Sequence, residues 1–273
     1  MSRIFPLADD EFGGTGTSAR SKATTVPEPI ESASKIPFPR KKVTRAIAVA
    51  ELALLEAAYP GAVTELLYDS PFTLLIAVVL SAQCTDARVN LTTPHLFAAY
   101  PTPEALARAP LEDVERIVKS CGFFRTKAKN IVAASRAIVE LHGGDVPSER
   151  EALEALPGVG RKTASVVLSV AFEGAAFAVD THVFRVSKRL GLTLGKTPRA
   201  VEDDVVKLVA HDKLRHAHHW LILHGRAICK APTPQCARCP VRDLCPSAPI
   251  VARALASKAR AKRKPTPRGA RGV

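Results

Sequence analysis

Four of the six cysteines, Cys229, Cys236, Cys239 and Cys245, fall within seventeen residues in the spacing C-x6-C-x2-C-x5-C, while Cys84 and Cys121 stand apart. Four thiolates this close in sequence suit one tetrahedral metal centre, and donor chemistry permits either zinc or a [4Fe–4S] cluster. The N-terminal segment does not pair a basic stretch with an apolar run, so secretion is not expected and disulfides are disfavoured. A second concentration of chemistry lies upstream. Leu156-Pro157-Gly158-Val159-Gly160 is a short connection between two helical runs, and the helix after it opens with Arg161-Lys162-Thr163. Gly158 and Gly160 allow backbone angles or close approaches that a side chain forbids. A tight glycine-rich turn feeding a helix N-terminus presents unpaired amides, the local chemistry of a phosphate site. Lys162, on that first turn, is a phosphate contact, a solvated cation or a nucleophilic amine. Asp180 stands just ahead of a helix starting at Thr181, where aspartate is a favoured N-cap.

Those groups need a scaffold, and the apolar pattern between the two ends of the chain is that of helices. Residues 43–59 place Ile47, Leu54 and Leu55 on one face before Pro60-Gly61 stops the run, and Pro71 opens a strongly apolar segment through Leu80. Segments 111–120, 127–141, 149–156, 161–172, 181–190, 200–209 and 216–228 each read as a short helix bounded by Gly, Pro or a capping residue. No segment alternates with period two, so the expected fold class is all-α. Residues 1–42 mix Gly, Ser, Thr and Pro and end in Pro37-Phe38-Pro39-Arg40-Lys41-Lys42, the composition of a disordered tail. Residues 247–273 read as a second disordered tail, a basic one: from Ile250 onward it holds eight Lys or Arg and no acid. Such an arm serves solubility or weak phosphate contacts.

The chain has 273 residues, of which 47% are hydrophobic, ample for a buried core. A formal charge of +13 and a pI near 9.7 attract polyanions, and nucleic acid is the partner this balance favours. No stretch reaches the roughly 18 consecutive apolar residues of a membrane-spanning helix, so no membrane association is expected.

Leu156-Pro157-Gly158-Val159-Gly160-Arg161-Lys162-Thr163-Ala164 resembles the helix-hairpin-helix of the endonuclease III family. Three further segments resemble that family in the same order: Leu80-Ser81-Ala82-Gln83-Cys84-Thr85-Asp86, Ala178-Val179-Asp180-Thr181-His182-Val183-Phe184-Arg185-Val186, and His219-Trp220-Leu221-Ile222-Leu223-His224-Gly225-Arg226 leading into the cysteine loop. Together they cover residues 43–246. The resemblance implies a bifunctional DNA N-glycosylase and abasic-site (AP) lyase that excises oxidised pyrimidines from duplex DNA in base excision repair. On that pattern Lys162 attacks the sugar C1′, displaces the base and leaves a Schiff base that permits β-elimination. A helix N-terminal field of about 0.3 to 1 kcal/mol is too small to ready such an amine, so desolvation by the apolar hairpin and bound DNA has to do most of it. Asp180 matches the catalytic aspartate. An anion there favours the ammonium form of Lys162, so its role is to stabilise charge growing on the sugar or to relay protons.

The same resemblance makes Cys229, Cys236, Cys239 and Cys245 the ligands of one [4Fe–4S] cluster, with Lys230, Arg238 and Arg242 of that loop beside the DNA backbone. Gly158, Gly160 and Arg161 become the phosphate-binding hairpin. Gln83 fills the gap left by a flipped base, Phe123 stands where the family usually carries a leucine wedge after Cys-Gly, and His182 either lines the base pocket or is a structural histidine behind it. Cys84 occupies a position where the family commonly has alanine. The implied fold is a six-helix barrel domain, 69–175, containing the hairpin, and a helical iron–sulfur domain formed by 43–68 with 176–246; duplex DNA lies across the groove between them. The implied setting is a bacterial cytoplasm, with the protein a monomer at the nucleoid through its DNA. A monofunctional adenine-mismatch glycosylase lacks lysine at the hairpin position, and a non-catalytic DNA-binding protein does not require Lys162 and Asp180 together.

Overall fold

A computed structural model describes residues 36–174 and 176–263, and among these it contains twelve α-helices and no strand. In chain order they are α1 (Arg45–Ala58), α2 (Pro71–Ser81), α3 (Asp86–Ala99), α4 (Pro103–Ala107), α5 (Leu111–Val118), α6 (Phe124–His142), α7 (Arg150–Ala155), α8 (Arg161–Ala171), α9 (Thr181–Arg189), α10 (Pro198–Val205), α11 (Leu214–Ala227) and α12 (Ala248–Arg263). Short polar residues start many of them. The hydroxyls of Thr44, Thr85, Thr102 and Thr197 accept from backbone N–H groups in the first turns of α1, α3, α4 and α10. Ser70 and Thr73 form a reciprocal capping box at α2, with Pro71 at its first position.

Two apolar cores follow from the way these helices pack. Every residue of α2 from Phe72 to Leu80 is buried, which places that helix in the middle of the first core rather than on its surface. α3, α6 and α8 pack directly on α2, and α4, α5 and α7 close around them. Each fully buried Leu or Ile of α2 contributes about 1.5–3 kcal/mol to the fold. The second core joins α1, α9, α10 and α11 through Leu52, Leu55, Phe177, Phe184, Val201, Trp220 and Leu221. The chain therefore enters the second core, crosses to the first for α2 to α8, and returns through Phe177. α11 touches α8 as well as α1 and α9, so a helix of the second core lies against the helix that carries Lys162.

Both expected tails are shorter than composition suggests. Residues 36–42 pack on the second core: Ile36 is 1% exposed, the Lys188 ammonium sits 4.7 Å from the Phe38 ring centroid, and Lys42 pairs with Asp204 at 2.6 Å. One buried aliphatic side chain, one cation–π contact and one ion pair together outweigh the local Pro and Lys content. At the other end residues 248–263 form α12, anchored by Val251 at 1% exposure. Pro249 in its first turn and the run of Ala, Arg and Lys behind it favour a helix, which charge alone does not reveal. The remainder of each expected tail, 1–35 and 264–273, lies outside the described residues.

Candidate active site and cysteine loop

The hairpin of α7 and α8 is pinned by its own apolar residues. Leu156 and Val159 are buried in the first core, and the Val159 N–H donates to the Leu156 carbonyl at 3.1 Å. Gly158 between them has φ +78°, and a Cβ there would stand 2.7 Å from Asn130 Cβ; conformation and space both demand glycine. Gly160 has no side chain to cap α8, so the first N–H groups of that helix face outward with their dipole, ready for an anion. Arg161 is differently disposed. Its Nε donates to Glu202 Oε2 at 2.9 Å and its Nη1 lies 3.9 Å from Glu154. Arg150 donates to the other Glu202 oxygen at 3.1 Å and to Ser165 Oγ at 2.8 Å. Glu202, on α10, has a side chain only 8% exposed. This bridge, which sequence reasoning missed, clamps the hairpin to the second core and occupies Arg161.

Lys162 and Asp180 meet at one cleft of about 160 Å³ between the two cores, which Ser81, Asp86, His218 and His219 also line. Lys162 is exposed, so the free protein leaves its amine solvated and any desolvation has to come from bound substrate. Asp180 accepts the Val183 N–H at 2.7 Å and caps α9, which fixes the carboxylate at the cleft with one oxygen used structurally. His218 is buried beneath them. Its Nδ1 lies 2.8 Å from the Ala178 carbonyl, and burial above all, with the neighbouring His219 second, pushes its pKa down to about 3. The ring is neutral near pH 7, donates through Nδ1 and leaves Nε2 as an acceptor. His182 packs close to Gly225, where an added Cβ would stand 3.0 Å from its Cβ and Nδ1, and its Nδ1 lies 3.2 Å from Arg185 Nη2, the surroundings of the structural histidine. No periodicity marks His218 in the sequence, because a buried neutral histidine looks like any polar residue on an apolar helix.

Gln83 and Phe123 sit on adjoining turns. Both have left-handed backbones, φ 54° and 57°, an unusual state for side chains of this size and one that persists where surrounding structure enforces it. A Cβ on Gly122 would stand 3.4 Å from the Gln83 carbonyl oxygen. Phe123 is 68% exposed, so it is no part of the core; Phe124, the next residue, packs inward instead.

The four loop cysteines surround one cavity with Arg189 and His224, although among the described residues no group of three or more His, Cys, Asp or Glu converges on a single ion. Buried Arg189 donates to the carbonyls of Lys230 at 2.7 Å and Ala231 at 2.8 Å and reaches Cys229 Sγ at 3.5 Å. His224 Nε2 lies 3.5 Å from Cys239 Sγ while its Nδ1 meets the Tyr59 hydroxyl at 3.1 Å. Burial pushes the Cys239 thiol up to about 11 and Cys245 up to about 12. A bound cationic metal group offsets that penalty, and Arg189 and the His224 N–H are donors suited to thiolate sulfur. The donor set fits an iron–sulfur centre. Lys230 and Arg238 are exposed on the outer side of the loop.

A family model described as the HhH-GPD superfamily base excision DNA repair protein matches residues 76–211. Endonuclease III of Rickettsia conorii is 50% identical over 186 residues, 68% of this chain and 89% of that protein. Endonuclease III of Escherichia coli K12 is 48% identical over 68% of this chain and 88% of its own. Among solved structures, a non-covalent endonuclease III–DNA complex matches with a TM-score of 0.72 and 44% identity, covering 77% of this chain and 99% of the other. A trapped covalent endonuclease III–DNA intermediate, an estranged-adenine complex, matches with a TM-score of 0.71 and 45% identity over 76% and 98%.

Proposed function

The chain belongs to the endonuclease III family of base-excision repair enzymes, DNA glycosylases and AP lyases, and we propose that Lys162 and Asp180 carry out that chemistry on oxidised pyrimidines in duplex DNA. The observation that carries this assignment is their convergence: two residues from different cores, one on the hairpin helix and one capping α9, line a single cleft. The open amides behind Gly158 and Gly160 hold a phosphate beside it. Gln83 and Phe123, exposed on their two turns, fill the space from which a nucleotide is flipped. Inside the cleft the Lys162 amine forms a bond to C1′ as the glycosidic bond breaks and the base leaves. Ring opening gives the Schiff base, and loss of a proton from the adjacent carbon expels the 3′ phosphate. Asp180 supports the positive charge on the sugar during base departure. The neutral His218 beneath it adds no cation to compete with that charge.

Cys229, Cys236, Cys239 and Cys245 would hold one [4Fe–4S] cluster, which when bound supplies folding energy to the loop rather than a step of the base chemistry. The loop then presents Lys230 and Arg238 to the phosphate backbone. We assign residues 43–68 with 176–246 to the cluster domain and 69–175 to the hairpin domain, with the protein acting as a monomer at nucleoid DNA; purified protein should contain about four irons per chain. Zinc in place of iron in protein kept from air removes the cluster from this account.

Borohydride tests the catalytic assignment. Wild-type protein should be trapped covalently on DNA bearing an oxidised pyrimidine or an abasic site, and Lys162→Gln should abolish trapping and strand cleavage while still binding. Asp180→Asn retains the cap but not the charge, so base excision should fall by about 100-fold or more while cleavage of a preformed abasic site falls less. Trapping that persists in Lys162→Gln moves the nucleophile elsewhere.

A further inference from the structure

Two cysteines outside the metal loop lie where the two DNA-facing turns meet. Cys84 follows Gln83 between α2 and α3, and Cys121 precedes Gly122-Phe123 between α5 and α6. The turns run side by side, so that a Cβ added to Gly122 would stand 3.4 Å from the Gln83 carbonyl oxygen. The Cys84 thiol is near enough to act on Cys121 both as a charge and as a hydrogen-bonding partner, and Cys121 Sγ also lies 3.8 Å from Thr92 Oγ1. Cys121 is buried and Cys84 half-buried, so one thiol is shielded and its partner is open to small solutes. The buried Lys127 ammonium donates to the Leu80 carbonyl at 2.8 Å and lies near Cys121, but burial outweighs it and pushes the Cys121 thiol up, so the more accessible Cys84 is the thiol that an oxidant meets first.

We propose that Cys84 and Cys121 form a redox pair whose reversible disulfide, made by hydrogen peroxide, weakens the grip of the enzyme on damaged DNA. This rests on the assignment of Gln83 and Phe123 to the DNA interface. Peroxide oxidises the accessible Cys84 thiol to a sulfenic acid and releases one water. The Cys121 sulfur then attacks the Cys84 sulfur, the S–OH bond breaks, the S–S bond forms, and a second water leaves with the Cys121 proton; two thiols and one peroxide give one disulfide and two waters. Closing the bond draws the sulfurs to about 2.05 Å and pulls the two turns together. Gln83 is the immediate chain neighbour of Cys84 and Phe123 lies two residues from Cys121, both on backbones already held at positive φ, so they cannot keep their spacing. Misplacement by about 1 Å costs up to roughly 100-fold in rate where groups are preorganised, and DNA contacts that depend on the same spacing weaken with it.

The test uses full-length protein with its cluster in place, treated with a few equivalents of hydrogen peroxide. Thiols are then alkylated and the digest searched for a Cys84–Cys121 linked peptide, while affinity for a duplex containing a stable abasic-site analogue is measured in parallel. The expected result is the linked peptide together with binding about 10-fold weaker, both reversed by dithiothreitol, with the visible absorbance of the cluster unchanged. Cys84→Ala and Cys121→Ala, each compared with itself before and after peroxide, should show no change in affinity. Cluster bleaching before any linked peptide forms overturns the proposal, as does a peroxide effect that survives in Cys84→Ala. A linked peptide with unchanged affinity overturns the switch. If Gln83→Ala and Phe123→Ala in the reduced protein also leave binding unchanged, the failure belongs to the interface assignment and not to the thiol chemistry.

Discussion

Asp180 is asked to be a helix cap and an electrostatic partner with one carboxylate, and the geometry divides the work between its oxygens. Oδ1 accepts the Val183 N–H, which leaves Oδ2 for the cleft. His218 shows how a second group can be prepared by burial alone. Its pKa lies near 3, with desolvation the largest cause, against about 6.5 in an unfolded chain. Between those values the unfolded chain binds a proton that the folded one does not, so stability is intact above about pH 6.5 and is lost as the pH falls toward 3. His224, held near 4 by burial, pulls in the same direction. A single such group contributes a slope of up to about 1.4 kcal/mol per pH unit. His218→Gln can still donate to the Ala178 carbonyl but cannot titrate. Denaturant unfolding from pH 6.5 down to 4 should therefore show a shallower loss of stability in this variant than in the wild type. Parallel curves mean that His218 is protonated in the folded state after all.

The hairpin is the element on which the proposed active site depends, and Gly158 is its narrowest point. An alanine there meets Asn130 at 2.7 Å while holding φ at +78°, so Gly158→Ala should cost about 1–3 kcal/mol and lower the affinity for undamaged and damaged DNA alike. A melting temperature equal to wild type with DNA affinity also intact removes the turn from the phosphate site. The glycines and Lys162 were legible because local rules govern them: a turn needing positive φ, a helix start, a cysteine array with ligand spacing. Helices with a continuous apolar face, α2 and α11 among them, were legible for the same reason. α3 was not, since its buried face is Val89, Thr92, Thr93 and Leu96 with Pro94 inside the helix, and two threonines weaken the apolar signal. The Glu202 clamp on Arg150 and Arg161 was invisible because it joins residues 52 and 41 positions apart, and a charge on a helix surface carries no mark of its distant partner. Arg161, read from sequence as a phosphate contact, is paired with Glu202 in the fold.

On the scale of the molecule, two cores, a cleft between them and a net charge of +13 suit a protein that collects duplex DNA, with the hairpin as the proposed seat of the phosphate backbone. Long-range attraction and site geometry are separable parts of that task, because phosphate neutralisation depends on salt and says little about which base is damaged. The C-terminal segment offers a way to separate them. Val251 seats α12 on the body of the protein, so a chain ended after Ser257 keeps the anchor and loses residues 258–273, which contain seven Lys or Arg and no acid. If that segment neutralises phosphates, the dependence of log affinity on log salt should flatten by about 0.9 for each contact removed, with weaker binding at low salt and convergence with the full chain at high salt. Preference for a lesion over undamaged duplex, measured at one salt concentration, should stay the same, since the cleft and both DNA-facing turns are untouched. An unchanged salt slope puts the basic segment away from the DNA and leaves steering to the cysteine loop and the hairpin.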